Sequence, residues 1–380
     1  MLAAPLLDSS EYAARRAALT RRCRDEGLDA IVVWSKGGHS DSAADVFYLA
    51  NFYPRFNRSQ AALVVPAHGE PVLFMDVLDP RRDQIQVSDV RFAFDLPAAV
   101  SSLLAEFGSG SRFGLVGGPA LLAQTYLELV RLSAADRFVP LDDAVVDLRV
   151  QKSPAEIELI RAAAEIGRGA LDAITRAALR PGTTEAQAVA AGYAFGVEHG
   201  TVPIDALIAS GPASDYYCAA QVPRWEGRAL EKGDLFHVDH AGYVGGYMFD
   251  AARSLVTGGR ASQAQADLLD AAIAAVDAGI EAVRPGMTGA QLYQVVEDVL
   301  VDQGVNTPQS ELMGHGHGIG LGFEWPFVLP FEQRTIQAGM TISVETMAAR
   351  PGVGSVYFEQ NVLVTEAGVE VLSASDVRYW

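Results

Sequence analysis

Five residues in the second half of the chain are of types that could do chemistry together. Asp239 follows the apolar run Leu235 to Val238, and Asp250 comes eleven positions later in GGYMFDAARS. The glycine-rich stretch between them, Gly242 to Gly246, predicts a hairpin that brings both carboxylates together. Glu345 lies in MTISVETM and Glu359 in VYFEQNVLVTE, strand-like runs too apolar for routine exposure. His317 stands in GHGHGIGLG, where low backbone crowding lets a side chain point into a cavity. A buried carboxylate is costly unless it is paired or metal-bound. The four acids therefore either stand apart in solvent or surround cations. Four oxygen donors and an imidazole suit a dinuclear site of Mn²⁺, Co²⁺, Fe²⁺ or Zn²⁺. Two such ions about 3.5–4 Å apart can bridge and activate a hydroxide.

The elements that must position these residues can be read from periodicity and punctuation. Ser153-Pro154 opens a helix expected to run to about Leu179, with Glu156 favouring its N-terminus. RPGTTEAQ at Arg180 to Gln187 returns 104 positions later as RPGMTGAQ at Arg284 to Gln291, matching at six of eight positions. Each copy joins one long helix to the next. An internal duplication follows, giving two αβ halves related by pseudo-symmetry with a site between them. The first 150 residues read as an α/β unit. Ser10 to Glu26 is an amphipathic helix and Asp29 to Val33 a buried strand. QAALVVP and EPVLFMD are two strands joined by Ala67, His68 and Gly69, and SRFGLVGG is a strand followed by a helix.

Composition narrows the partners. The 380 residues are 49% hydrophobic and 20% charged, which allows a full core and excludes global disorder. Asp and Glu outnumber Lys and Arg by 47 to 29, a net charge of −18 that repels phosphate backbones and makes nucleic acid a poor partner. No run reaches the roughly 18 unbroken apolar residues of a membrane helix. The start, MLAAPLLDSSEYAARR, lacks a basic segment and a cleavable apolar core. Two cysteines, Cys23 and Cys218, make no disulfide framework and fit a reducing cytoplasm.

At the acids and the histidine the sequence resembles the pita-bread metallopeptidases: prolidase, aminopeptidase P, methionine aminopeptidase and creatinase. The resemblance rests on EKGDLFHVD, GYMFDAARS, HGIGLGFEWP, ISVETM and FEQNVLVTE and covers essentially the whole chain. It implies an α/β (α+β) protein with a creatinase-type N-terminal domain over residues 1–148 and a pseudo-symmetric pita-bread catalytic domain over 149–380. It implies two divalent ions, Mn²⁺ foremost, held by Asp239, Asp250, His317, Glu345 and Glu359. It also implies a homodimer, in which the run NFYPRFNR, Asn51 to Arg58, is a candidate to reach the partner's pocket.

Three positions depart from the peptidase pattern. The family carries a second histidine seven residues beyond the metal histidine, in a His-Glu-x-Pro segment; here the segment reads Glu324-Trp325-Pro326, and Glu324 is taken as the replacement. Another family histidine, after a Ser-Gly-Pro-like segment, falls at about Cys218. The arginine two residues before the last ligand is Tyr357. Without both histidines the chain is expected to be a poor Xaa-Pro peptidase, since a carboxylate at 324 cannot stabilise developing negative charge unless protonated. The leading expectation is a dinuclear-metal hydrolase that cleaves a C–N bond in a small molecule or dipeptide, with Glu345 or Glu324 moving the proton. The alternatives are a prolidase-like Xaa-Pro dipeptidase, a lyase resembling dimethylsulfoniopropionate lyase, and a non-catalytic pita-bread binding module. Cys218, Trp325, Tyr357 and His237 are the candidate substrate contacts. Asp215, Tyr216, Tyr217 and Trp325 could also form an acidic, aromatic cage for a cation. His315 is expected to be structural or to support His317, and Arg253 to partner a neighbouring carboxylate.

Overall fold

The computed structural model describes residues 7–38, 40–54, 56–78, 81–215, 222–305 and 314–374. Two compact units meet in sequence between Arg149 and Val150.

The N-terminal unit contains α1 (Ser9–Asp25), β1 (Ala30–Lys36), α2 (Ser40–Ala50), β2 (Gln60–Pro66), β3 (Val72–Met75), β4 (Asp89–Phe92), α3 (Leu96–Ala105), β5 (Phe113–Val116), α4 (Ala123–Ser133), β6 (Phe138–Pro140) and α5 (Asp143–Val150). Asp8 caps α1, its carboxylate accepting from the Ser10 amide at 2.8 Å. The six strands form one mixed sheet in the order β4-β3-β2-β1-β5-β6. The expected pair around Ala67 to Gly69 is the antiparallel β2–β3 pair, with Gly69 at φ +117° in its turn. Strand β1 is apolar at almost every position because it lies mid-sheet with both faces covered.

The C-terminal unit runs α6 (Pro154–Ala178), α7 (Glu185–Glu198), β7 (Val202–Ser210), β8 (Leu235–Val244), β9 (Tyr247–Val256), α8 (Gln263–Ala282), α9 (Gly289–Asp302), β10 (Gly316–Ile319), β11 (Phe323–Phe327), β12 (Thr341–Arg350), β13 (Gly354–Thr365) and β14 (Gly368–Val371). The repeated octapeptide has a structural cause. In both copies the glycine is left-handed, Gly182 at φ +90° and Gly286 at φ +88°, and the shared Thr and Gln form a capping box that starts the next helix. Thr184 bridges to Ala229 and Thr288 to Thr335, so each copy is also pinned to its own half. Each half therefore repeats two helices followed by antiparallel strands.

The strands make two sheets, β7-β8-β9 and β11-β10-β12-β13-β14. They join where β9 runs beside β13: the Asp250 amide donates to Asn361 Oδ1 at 3.3 Å, and the Tyr357 amide donates to Ser254 Oγ at 2.7 Å. Helices α8 and α9 cover the five-stranded sheet, with Val276, Leu292, Val296, Ile342 and Val344 in one buried cluster. No described helix is long and apolar enough to cross a membrane.

Candidate metal centre

Register alone places the four acids. Strands β8 and β9 are joined by the two-residue turn Gly245-Gly246, tighter than the stretch expected from sequence; Gly242 instead lies inside β8, against the ring of Phe249. Asp239 pairs with Ala252 and Ala241 with Asp250, so the two aspartates are diagonal neighbours on one face. Glu345 stands directly across from Glu359 in the β12–β13 pair, and His317 across from Ser343 in the β10–β12 pair. His317, Ser343, Glu345, Glu359 and Asn361 therefore share one face of the five-stranded sheet. Gly316 permits the close β10–β12 approach, because a Cβ there would lie 1.9 Å from the Ser343 carbonyl oxygen.

Ligand atoms of Asp250, His317 and Glu359 lie within 4.8 Å of one another. His317 Nε2 is 3.9 Å from Asp250 Oδ2. Burial raises the Asp250 carboxyl well above the ordinary range, and the charges of Glu359, Asp239 and Glu345 raise it further. Burial does the same to Glu359, with Glu345 and Asp239 adding to it and the Ser343 hydroxyl opposing it. Burial lifts Glu345 to about 7, partly offset by a hydrogen bond from the Tyr357 hydroxyl. Asp250 Oδ1 and Glu359 Oε2 are buried with no hydrogen-bond partner among the described residues. Buried anionic oxygens left open in this way fit a divalent cation, and the oxygen-rich donor set suits a hard or borderline ion.

Ser343 and Asn361 were missed by sequence reasoning. Ser343 donates to Glu359 Oε1, Asn361 Nδ2 donates to Ser343 Oγ at 3.0 Å, and Asn361 Oδ1 receives the Asp250 amide. Their signal was the period of two: Ser343 precedes Glu345 by two positions and Asn361 follows Glu359 by two, polar residues in apolar strands.

Glu324, expected from sequence to move a proton, is held in a buried ion pair. It is only 6% exposed, and its Oε2 is 2.8 Å from Lys152 Nζ in a buried ion pair. Its Oε1 accepts from the Leu321 amide at 3.2 Å, and the carboxylate folds over Gly320, where a Cβ would lie 2.6 Å away. In β11 it points to the face opposite Phe323, whose ring stands edge-on to His317 at 4.4 Å between centroids. Glu324-Trp325-Pro326 is thus the Glu-x-Pro of the segment, and Phe323 occupies the place before it.

The other candidates separate. Tyr357 reaches the site through its bond to Glu345. His237 is fully buried, with Nδ1 3.2 Å from the Ser355 carbonyl oxygen and 3.5 Å from the Ser355 hydroxyl. Trp325 packs edge-on to Phe327, and Arg334 stands over its ring at 4.4 Å. Asp215 is exposed, while Cys218, Tyr216 and Tyr217 fall outside the described residues. His315 bonds Glu297 at 2.9 Å and stacks on Tyr293, and its carbonyl accepts the Glu345 amide. Arg253 is buried, donating to the Ala252, Glu359 and Ser373 carbonyls and to Gln360 Oε1; its charge also offsets part of the rise at Glu359. In NFYPRFNR, Tyr53 and Phe56 are exposed, the Tyr53 hydroxyl donates to the Gly38 carbonyl at 2.6 Å, and Arg55 falls outside the described residues.

Comparison with known proteins gives two family matches. The profile of Metallopeptidase family M24 matches residues 158–366, and that of the Creatinase/Prolidase N-terminal domain matches residues 15–151. The Xaa-Pro dipeptidase of Pyrococcus furiosus is 28% identical over 245 residues, 64% of this chain and 69% of its own. The probable dipeptidase PepE of Mycobacterium tuberculosis is 30% identical over 388 residues, covering 95% and 94%. Among solved structures, prolidase from Pyrococcus horikoshii OT3 superposes with a TM-score of 0.82 at 21% identity, covering 97% of this chain and all of that one. Dipeptidase PepE from Mycobacterium ulcerans gives 0.81 at 27% identity, covering 98% of each.

Proposed function

The chain belongs to metallopeptidase family M24, and from that premise we propose that it is a dinuclear-metal hydrolase cleaving the C–N bond of a small amide or dipeptide. The observation that carries this reading is the pair of buried carboxylate oxygens, Asp250 Oδ1 and Glu359 Oε2, left open beside His317. Asp239, Asp250, His317, Glu345 and Glu359 would hold the ions, with Mn²⁺ the first choice and Fe²⁺, Co²⁺ or Zn²⁺ the alternatives. When bound, such a pair supplies water activation and polarisation of the scissile carbonyl. Ser343 and Asn361 fix the Glu359 carboxylate, and Tyr357 fixes that of Glu345. Glu345 would take the proton of the attacking water and pass it to the leaving nitrogen. Glu324 stays out of the chemistry and holds β11 in place.

Xaa-Pro dipeptidase activity is the second reading, favoured by the likeness to the Xaa-Pro dipeptidase of Pyrococcus furiosus. A panel of simple amides and Xaa-Pro dipeptides, assayed with and without Mn²⁺, separates the two. Elemental analysis tests the metal assignment: Asp250→Ala and His317→Ala should lose most bound metal, and wild-type occupancy in either variant would sink it. Creatinase-type domain order supports a homodimer, which light scattering at micromolar concentration would contradict by returning the monomer mass.

A further inference from the structure

One side chain on β11 lies where the cluster meets water. Phe323 is 48% exposed, and on β10 to β14 no other large apolar side chain among the described residues is as open. It pairs with Ile319, two positions from His317, so Phe323 and His317 share a face. Their rings touch at 70°, with the phenyl set against the imidazole. The backbone beneath is anchored, since the next residue, Glu324, is locked between Lys152 and the Leu321 amide. A half-wet phenyl adds little to core packing, yet this one is held rigidly beside a group of polar ligand atoms. Binding sites are built this way, with apolar walls around a few convergent polar groups.

The chemistry of the wall limits what it can receive. A phenyl offers no hydrogen-bond partner, so a polar substituent pressed against it would lose water without compensation. A charged substituent of either sign would lose still more. An uncharged aliphatic or aromatic group loses nothing and gains buried area. We propose that Phe323 is the specificity-determining residue of this site, an apolar wall that selects amides whose group flanking the scissile C–N bond is hydrophobic and uncharged. This rests on the metal-hydrolase reading and names its substrate class.

The test uses binding rather than turnover. Hydroxamates chelate divalent metal through the head group, leaving the tail to probe the wall. Dissociation constants of acetohydroxamate, hexanohydroxamate and 6-aminohexanohydroxamate are measured by calorimetry on the Mn²⁺-loaded protein and on Phe323→Ala and Phe323→Leu. Hexanohydroxamate should bind wild type at least about tenfold more tightly than acetohydroxamate. That ratio should collapse toward unity in Phe323→Ala and return in Phe323→Leu, with manganese content the same in all three. An unchanged ratio in Phe323→Ala overturns the proposal, and so does tighter binding of the amino tail than of the plain one, which would make the ring a cation platform. If no hydroxamate binds any form, the metal reading fails and takes the proposal with it. If the tail effect follows Phe323 while no amide is hydrolysed, the wall stands and only the hydrolase reading falls.

Discussion

Replacing Glu345 by Gln should make the metal-free protein more stable at alkaline pH and the metal-loaded protein less so. Gln keeps an acceptor for the Tyr357 hydroxyl and removes the charge. A carboxyl whose pKa rises on folding from 4.5 to about 7 costs the folded chain about 3 kcal/mol once ionised. The sign follows from proton counting. Below pH 4.5 both folded and unfolded chains hold the proton, and there is no cost. Between 4.5 and 7 the unfolded chain releases it first, so stability falls as pH rises; above 7 the full cost applies. EDTA-treated Glu345→Gln should therefore melt several degrees above wild type at pH 8.5 and close to wild type at pH 4.5. Adding Mn²⁺ should invert the order at pH 8.5, because tight binding to the folded state stabilises wild type more than a variant with a weakened ligand. Thermal denaturation of both proteins, with and without metal at the two pH values, is sufficient. A metal-free variant less stable than wild type at pH 8.5 would refute the reasoning, for it would mean that Glu345 is stabilised by the protein alone.

Three further outcomes follow from particular contacts. Ser343→Ala removes the hydroxyl that orients Glu359 and should weaken Mn²⁺ about 10- to 100-fold in chelator competition, with the fold intact by circular dichroism. Lys152→Met leaves the buried Glu324 without its cation and should cost about 3–5 kcal/mol in denaturant titration; Lys152→Met with Glu324→Gln should recover much of that, whereas equal losses would show that the pair is not electrostatically coupled. Cys23 is buried, donates to the Leu28 carbonyl and has its pKa pushed up to about 11, so in a Cys218→Ser background iodoacetamide at pH 8 should leave the native protein unlabelled and modify it only in urea.

Much of the candidate site was legible because strand geometry converts spacing into facing. Across the two-residue turn Gly245-Gly246, residues an odd number of positions apart share a face, and Asp239 and Asp250 are eleven apart. Across the three-residue connection from Arg350 to Gly354 the separation must be even, and Glu345 and Glu359 are fourteen apart. The two-half architecture was legible for a similar reason, since the repeated Thr and Gln are the two members of a capping box. What sequence could not supply was the set of contacts made by neighbouring strands. Asn361 meets the Asp250 amide only because β9 comes alongside β13, and no local pattern announces that approach.

The place of Glu324 turns on the same strand geometry. A count of seven from His317 treats the segment as a fixed string. In the fold, three residues, Gly320 to Gly322, connect β10 to β11, and Ile319 pairs with Phe323. Across that connection only even separations share a face, so position 323 falls beside His317 and position 324 turns away. Seven becomes the right count only if the connection is one residue longer. The contacts agree with the parity: Phe323 meets the His317 ring, and Glu324 meets Lys152 behind it. The chain therefore does not put a carboxylate in place of a charge-stabilising histidine; it puts an uncharged ring there. A carboxylate at that place would have repelled negative charge developing on a substrate, whereas a phenyl neither repels nor stabilises it. At this position the consequence for Xaa-Pro dipeptides is the loss of one donor, typically about 10²–10³ in turnover, without the added penalty of an opposing charge. Inserting one residue between Gly320 and Phe323 would supply that longer connection and leave Phe323 and Glu324 on the faces they have now. Such an insertion, like Phe323→His, should keep the Glu324–Lys152 pair and a melting temperature close to wild type, and a fall of several degrees would show that the register moves instead.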